Sequence, residues 1–242
     1  VSAPAAPVDV SVVIPVHDEA ESLPVLWPEL RAVLDAQPWR AEVIFVDDGS
    51  TDGSAEVVRG LVAADRRVRL LRLRANAGLT AALHAGLTRA RGQILVTMDG
   101  DLQNDPRDIP DLVARLGAWD AATGWRRARP DPWLKRVSSR VANAIRNRVT
   151  REDIRDSAST LRALRRSCVA AIPPFRGMHR FVPTLLRMAG FRVVEVPIRH
   201  RPRRFGASHF GVRNRAWTAL QDLVAVRWMQ SRILRYEIEE SS

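Results

Sequence analysis

The stretch Val10-Ser11-Val12-Val13-Ile14-Pro15-Val16-His17-Asp18-Glu19 sets the frame for the whole chain. Val10 to Ile14 is rich in β-branched residues and reads as a first strand. Pro15 is expected to stop it, because proline cannot donate to a sheet ladder. Just beyond, Ser22 precedes Leu23, Leu26, Leu30 and Leu34, the spacing of an amphipathic helix whose start is blurred by Pro24 and Pro28. The same alternation then recurs. Val43–Val46 is a strand, Ser50-Thr51-Asp52 supplies N-cap chemistry for a helix through Val62, and Val68–Leu73 is a strand. Helix Leu79–Ala90 and strand Ile94–Met98 follow. Short apolar β runs alternating with helices predict a parallel sheet with crossover helices.

Farther on the pattern weakens: helix Asp108–Leu116, strand Ala118–Thr123, helix Trp133–Val149, strand Thr160–Leu164, helix His179–Met188 and strand Phe191–Val196. A Pro/Arg/Gly-rich loop, 199–211, leads to a final helix from Asn214 to about Tyr236. On that helix Trp217, Leu220, Val224, Trp228, Met229 and Ile233 fall near one face, fit to pack on the protein itself, on a twin subunit, or on a lipid interface. The expected organisation is a flexible lead-in over 1–8, one domain over 9–212 with halves 9–125 and 126–212, and a C-terminal helix and tail over 213–242.

At 242 residues and 27.1 kDa, the chain can bury a sizeable core. Its 46% hydrophobic and 27% charged residues are ordinary globular usage, which excludes wholesale disorder and collagen-like repeats. One cysteine, Cys168, excludes an intramolecular disulfide. Apolar runs such as Leu223–Val226 fall far short of the ~20 residues that cross a bilayer. The lead-in lacks the basic start and apolar stretch of a secretion signal, so a cytoplasmic address is expected.

Charge is lopsided. Residues 1–125 hold 12 Lys+Arg against 18 Asp+Glu, whereas residues 126–242 hold 26 against 9, giving the net +11. A positive field confined to one half suits an anionic partner: nucleic acid, anionic lipid or a phosphorylated substrate.

The strongest local feature is Met98-Asp99-Gly100-Asp101-Leu102-Gln103, at the carboxyl end of the fourth predicted strand. Open α/β sheets bind ligands outside that end. Two carboxylates spaced by one small residue can face one point there, and Mg or Mn takes oxygen ligands while keeping phosphates and water in its shell. A solvated acidic turn is the plain alternative. Two more acidic loops, His17-Asp18-Glu19 and Asp47-Asp48-Gly49-Ser50-Thr51-Asp52, end the first two strands. Three such loops on one sheet edge are costly in like charge unless cations or hydrogen-bond donors are bound, and a nucleotide with its metal supplies both. Asp48 can accept a base or ribose proton, and Gly49 and Gly78 permit close backbone approach.

In their order and spacing, Val12 to Glu19, Val46 to Asp52, Asn76-Ala77-Gly78 and Met98 to Gln103 resemble the family 2 glycosyltransferases. A narrower likeness to the polyprenol-phosphate glycosyltransferases, the dolichol-phosphate mannose synthase type, rests on several further motifs. These are Asp101-Leu102-Gln103 with Asp105-Pro106, Ser139-Arg140 with Asn143, Asp156 with Leu161-Arg162, His179-Arg180-Phe181 and Arg203-Arg204-Phe205-Gly206-Ala207-Ser208. The likeness extends over roughly residues 8–215.

The resemblance implies an α/β GT-A fold, a Rossmann-like nucleotide-binding, mostly parallel sheet flanked by helices. It implies that Pro15, Val16, Glu19, Asp48 and Gly78 hold the nucleoside, with Asp99 beside ribose or metal. Asp99, Asp101 and Gln103 would ligate Mg or Mn, Arg203 and Ser208 would close over the diphosphate, and Arg126, Lys135 and Ser139 would hold an acceptor phosphate. Departures from the family pattern are His209, where many relatives carry lysine, and Ala158-Ser159 in place of a Gly-Cys pair.

The expected reaction is an inverting displacement, at the anomeric carbon of a UDP- or GDP-linked sugar, by the oxygen of a polyprenyl monophosphate. Asp101 is the candidate catalytic residue. It would take place at the inner face of the membrane, with the enzyme peripherally bound through its basic half and self-association through the C-terminal helix as a further option. A general base is dispensable, because a phosphate monoester has a second pKa near ~6. Three alternatives stand beside it: sugar transfer to a glycan hydroxyl, a nucleic-acid-binding module, and a silent membrane-docking scaffold. One tyrosine and six phenylalanines are few for base stacking, and the acidic loops would repel a nucleic-acid backbone, so no nucleic-acid partner is expected.

Overall fold

The computed structural model describes residues 7–126, 143–205 and 212–233, the last segment as backbone alone over 212–217. Lys135, Ser139, Ser208, His209, residues 1–6 of the predicted lead-in and most of the predicted helix Trp133–Val149 lie outside the described residues.

The elements in chain order are β1 (Val10–Val16), α1 (Leu23–Asp35), β2 (Ala41–Asp47), α2 (Ser54–Ala64), β3 (Val68–Arg72), α3 (Leu79–Arg89) and β4 (Ile94–Thr97). A 3₁₀ turn (Pro106–Asp108) leads into α4 (Ile109–Arg115) and β5 (Ala121–Arg126). Then come α5 (143–150), β6 (Arg162–Arg165), α6 (Val182–Met188), β7 (Val193–Ile198) and α7 (Val212–Gln230). Seven strands form one sheet in the order β3-β2-β1-β4-β6-β5-β7. Only β6 runs against its neighbours β4 and β5; the other pairs are parallel. The expected mostly parallel sheet is borne out, and it runs unbroken through the boundary near residue 125.

Side-chain alternation along β1 divides the core. Val10, Val12, Ile14 and Val16 face one side, where Leu23, Leu26, Leu30 and Leu34 of α1 and Leu112 of α4 cover them. Val13 faces the other, with Ile44, Val46, Leu87 of α3, Leu185 of α6 and Leu223 and Val226 of α7. Each fully buried leucine contributes about 2 kcal/mol. Gly86 lets α3 lie directly on β1, because a Cβ there would run into the Val13 side chain. At the amino end of the sheet, buried Glu42 accepts from Ser11 Oγ at 2.7 Å and from the Arg91 N–H at 2.6 Å, and pairs with Arg69 at 2.8 Å. Its charge is thus satisfied locally, and the contacts are structural.

Three expectations need correction. β1 does not stop at Pro15. β4 accompanies β1 only to the Val13–Thr97 pair, and the Val13 carbonyl points toward β4 to receive Met98 N–H. By alternation the absent N–H of Pro15 faces that side beyond the end of β4, so the proline forfeits no ladder bond. On α7, the predicted single apolar face is split. Leu220, Val224 and Trp228 face solvent at 46%, 60% and 60% exposure, while Leu223 and Val226 are buried and Met229 packs with them. In the sequence Trp133, Val137, Val141, Ile145 and Val149 stand at four-residue spacing, an apolar stripe with Arg146 among the basic residues around it, but on α5 Ile145 is exposed and Arg146 buried. Arg146 can go inside because Thr184 Oγ1 at 2.7 Å, Glu152 at 3.4 Å and the Phe181 ring at 5.9 Å receive it.

Candidate active site

The parallel topology brings the carboxyl ends of β1, β2, β4, β5 and β7 to one edge, and the reversed direction of β6 starts that strand at the same edge with Thr160 and Arg162. From β1 the chain winds to β2 and β3 on one side and to β4 on the other, so the carboxyl ends of β1 and β4 form a topological switch point. Glu19 follows one strand and Asp99 and Asp101 follow the other.

The three acidic loops do converge, and most of their charge is met by the protein's own donors. Asp18 accepts the Thr51 N–H at 2.8 Å, and Ser50 Oγ accepts the Asp18 N–H at 3.1 Å. Asp47 is fully buried, accepts the Ser50 N–H at 2.9 Å and pairs with Arg72 at 3.0 Å. Asp52 takes the N–H groups of Ala20 and Ser54 at 2.8 and 2.9 Å, so it supports the start of α2, which begins at Ser54 after Gly53. Asp48 receives Ala77 N–H on one oxygen and Gly78 N–H on the other, at 2.7 and 2.8 Å. Gly49 makes that approach feasible: its φ is +71°, and a Cβ would lie 2.6 Å from Asn76 N.

What remains at the mouth is a cluster of Glu19, Asp99, Asp101 and Arg203. Arg203 Nη2 donates to Asp101 Oδ2 at 2.7 Å, and its Nη1 lies 3.6 Å from Glu19 Oε1. Asp101 Oδ1 accepts the Gln103 N–H at 3.1 Å. Leu102 between them has φ +63°, an uncommon conformation for a leucine, which turns the Asp101–Gln103 backbone into a tight hook. Asp99 accepts a short hydrogen bond from Thr160 Oγ1. Burial and then the Asp101 charge push the Asp99 carboxyl up to about 6, with Thr160 opposing. Burial also raises Glu19, against the hydrogen bond that Ser22 Oγ donates at 2.6 Å.

Under the acidic residues lies a cationic floor. Arg162 is buried; burial pulls its guanidinium down to about 10, while the charges of Asp99 and Asp156 act to keep it protonated. Arg126, expected at an acceptor phosphate, grips buried Asp156 through Nε at 2.7 Å and Nη2 at 2.9 Å. A phosphate there would share the guanidinium with Asp156. Pro15 and Val16 are buried in the sheet, and the Val16 carbonyl is occupied by the Asp48 N–H at 2.8 Å, so both support the cleft from below. Gly78, at φ +90°, opens α3 beside Asp48.

Thr160 has no role in the sequence reading. A lone threonine before a strand carries no periodic or motif signal, and only the register of β6 on β4 puts it against Asp99. Arg162 is legible as part of a motif but not as the buried counter-charge.

The residues suit a small divalent cation. Asp99, Asp101 and Gln103 offer hard oxygens, and the position facing Asp101 and Glu19 already accommodates a cation, the Arg203 guanidinium. Among the described residues no three Asp, Glu, His or Cys side chains are grouped so that they could hold a metal ion by themselves. Mg or Mn held through one or two carboxylates takes the rest of its shell from phosphate and water.

A mostly parallel sheet whose switch point is flanked by the carboxylates of the loops after β1 and β4 is the open α/β arrangement that binds ligands at the carboxyl ends of its strands. The chain belongs to glycosyl transferase family 2, whose model matches residues 11–172. It is 35% identical over 229 residues to a dodecaprenyl-phosphate galacturonate synthase of Rhizobium johnstonii, covering 92% of this chain and 68% of that one. It is 37% identical over 207 residues to an undecaprenyl-phosphate 4-deoxy-4-formamido-L-arabinose transferase of Edwardsiella ictaluri, covering 84% and 63%. The chain thus spans about two thirds of the length of these relatives. Its GT-A fold matches that of glucosyl-3-phosphoglycerate synthase from Mycobacterium tuberculosis, solved with Mn2+, UDP and phosphoglyceric acid. That match has a TM-score of 0.69, 20% identity, and coverage of 94% of this chain and 80% of the other. A mannosyltransferase from Pyrobaculum calidifontis, solved with GDP-Man and Mn2+, matches with a TM-score of 0.64, 20% identity, and coverage of 97% and 67%.

Proposed function

We propose that this protein transfers a sugar from a UDP- or GDP-linked donor to a polyprenyl monophosphate, with inversion, at the cytoplasmic surface of the membrane. The observation that carries the reading is the Glu19–Asp99–Asp101–Arg203 cluster at the β1/β4 switch point, in a chain whose relatives are named for sugar transfer to polyprenyl phosphates.

Asp99, Asp101 and Gln103 would hold Mg or Mn, which supplies Lewis-acid stabilisation of the departing nucleoside diphosphate. Asp48 fixes the 76–78 backbone, and with Glu19 and Gly78 it would shape the nucleoside's seat. Arg203 would turn from the carboxylates to the diphosphate, joined by Ser208. The Arg162 charge beneath Asp99 opposes the upward push that burial and Asp101 give its carboxyl. On the acceptor side Arg126, anchored by Asp156, would orient the phosphate together with Lys135 and Ser139, so that its oxygen approaches the anomeric carbon opposite the leaving group. That oxygen is already ionised near neutral pH, so no side chain need remove a proton.

Membrane attachment would be peripheral, through the arginine-rich second half and the solvent-facing Leu220, Val224 and Trp228 of α7. Among the described residues no helix is long and apolar enough to cross a membrane. The test is a transfer assay with purified protein, Mn2+, radiolabelled UDP- and GDP-sugars and undecaprenyl phosphate in detergent. Asp101→Ala should abolish a product that the wild type forms. Product with a free glycan acceptor and none with the prenyl phosphate would replace this reading with transfer to a hydroxyl.

A further inference from the structure

After β7 the chain runs antiparallel to the acidic loop 101–108, and every second residue is an arginine set against an aspartate of that loop. Arg199 meets Asp108 through its backbone N–H at 2.7 Å and Nη1 at 3.1 Å. Asn104 and His200 form a β-bridge, and the Arg201 N–H donates to Gln103 O at 3.0 Å. Arg201 pairs with Asp105 at 3.0 Å and with Glu29 of α1 at 2.6 Å. Arg203 then meets Asp101 at 2.7 Å and Glu19 at 3.6 Å. The aspartates are buried, at 1% for Asp105, 7% for Asp108 and 9% for Asp101.

The three rungs are not equivalent. The first two combine side-chain ion pairs with backbone bonds between the segments, and the second adds a further anchor on α1. The third holds by the guanidinium alone: among the described residues, the last backbone bond between the two segments is that of Arg201. Arg203 is also the rung whose partner, Asp101, is the candidate metal ligand.

We infer that Arg203 is a built-in counter-cation that occupies the metal's place on Asp101 in the nucleotide-free protein, steadied by Glu19, and that Asp105 and Asp108, through Arg201 and Arg199, are positioning residues that hold it there. The inference rests on the reading of Asp101 as a metal ligand. A divalent ion and a guanidinium compete for the same carboxylate oxygens, so the metal binds weakly until a diphosphate offers Arg203 another anion. Metal and nucleotide are therefore coupled through one side chain, and the two fixed rungs keep the displaced guanidinium within reach of the diphosphate. The coupling follows linkage: whatever favours Arg203 leaving Asp101 favours the metal, and the reverse.

The test measures Mn2+ affinity by electron paramagnetic resonance of free Mn2+, first without nucleotide and then with saturating UDP or GDP. Without nucleotide, Arg203→Gln should bind Mn2+ about fivefold more tightly than wild type, the scale of one partly exposed ion pair, and Arg203→Lys should lie between them. With nucleotide the order should reverse, Arg203→Gln binding more weakly than wild type. Arg201→Gln, which frees the strap and keeps Arg203, should tighten nucleotide-free Mn2+ binding in the same direction. An unchanged nucleotide-free affinity in Arg203→Gln, with binding lost in Asp101→Ala, overturns the inference and leaves the metal reading standing. Wild-type Mn2+ affinity in Asp101→Ala overturns both.

Discussion

Asp48 holds the amino end of α3 by splitting its carboxylate between two backbone donors, Gly78 N–H at 2.8 Å and the adjacent Ala77 N–H at 2.7 Å. A negative charge at this position also favours the helix dipole. Asp48→Asn keeps one acceptor oxygen and turns an amide N–H toward the other donor. It should lower stability by about 1–2 kcal/mol, read as a Tm drop of roughly 2–4 °C per kcal/mol in calorimetry. If the same loop seats the nucleoside, the thermal shift produced by UDP or GDP should shrink as well.

Arg126 and Asp156 form a two-pronged ion pair in which Asp156 is 4% exposed. Removing the guanidinium takes two charge-assisted donors from a buried carboxylate, which costs roughly 3 kcal/mol. Arg126→Gln should therefore lose stability in urea denaturation, and the double variant Arg126→Gln/Asp156→Asn should recover much of it. Transfer activity lost in both variants would assign Arg126 to the acceptor as well as to the fold.

Acid should weaken the 101–108 loop. Burial alone would raise Asp105, but the hydrogen bonds from Arg107 and Arg201 outweigh it and hold the carboxyl at about 2, below its ordinary 3.8. A depressed folded value gives stability that is present above about pH 4 and lost as pH falls from there toward 2. After allowance for solvent screening the effect is about 1 kcal/mol. Asp105→Asn should be destabilised near pH 7 and show a flatter loss between pH 4 and 2 in denaturant titrations.

Cys168 is buried, and burial pushes its thiol up to about 11. The thiolate is the reactive form, so the native protein should resist a disulfide-exchange reagent at pH 8 and react stoichiometrically in denaturant. Rapid labelling of the native protein would show that the 166–171 turn opens readily.

Gly86→Ala tests the contact of α3 with β1. The added methyl meets Val13, so the variant should be destabilised by about 1–3 kcal/mol, despite alanine's better helix propensity. Val13→Ala in the same chain should restore part of the loss by making room.

The sequence by itself determined the order of strands and helices, the acidic loops at the carboxyl ends of the first, second and fourth strands, and the family. These follow from local patterns: β-branched runs, four-residue leucine spacing and contiguous motifs. Tertiary structure decided how those parts meet. The reversal of β6 brings Thr160 and Arg162 to Asp99, and no short-range pattern encodes the direction in which a strand joins a sheet. It also decided that Asp47 and Asp52 serve the fold while Asp101 faces Arg203, because carboxylates of similar local sequence are told apart by donors 25 to 102 residues away. On α7 two apolar stripes run side by side, and the core cluster beneath takes Leu223 and Val226, leaving Leu220, Val224 and Trp228 outside. Periodicity marks which residues can be buried; the shape of the surface they meet determines which are.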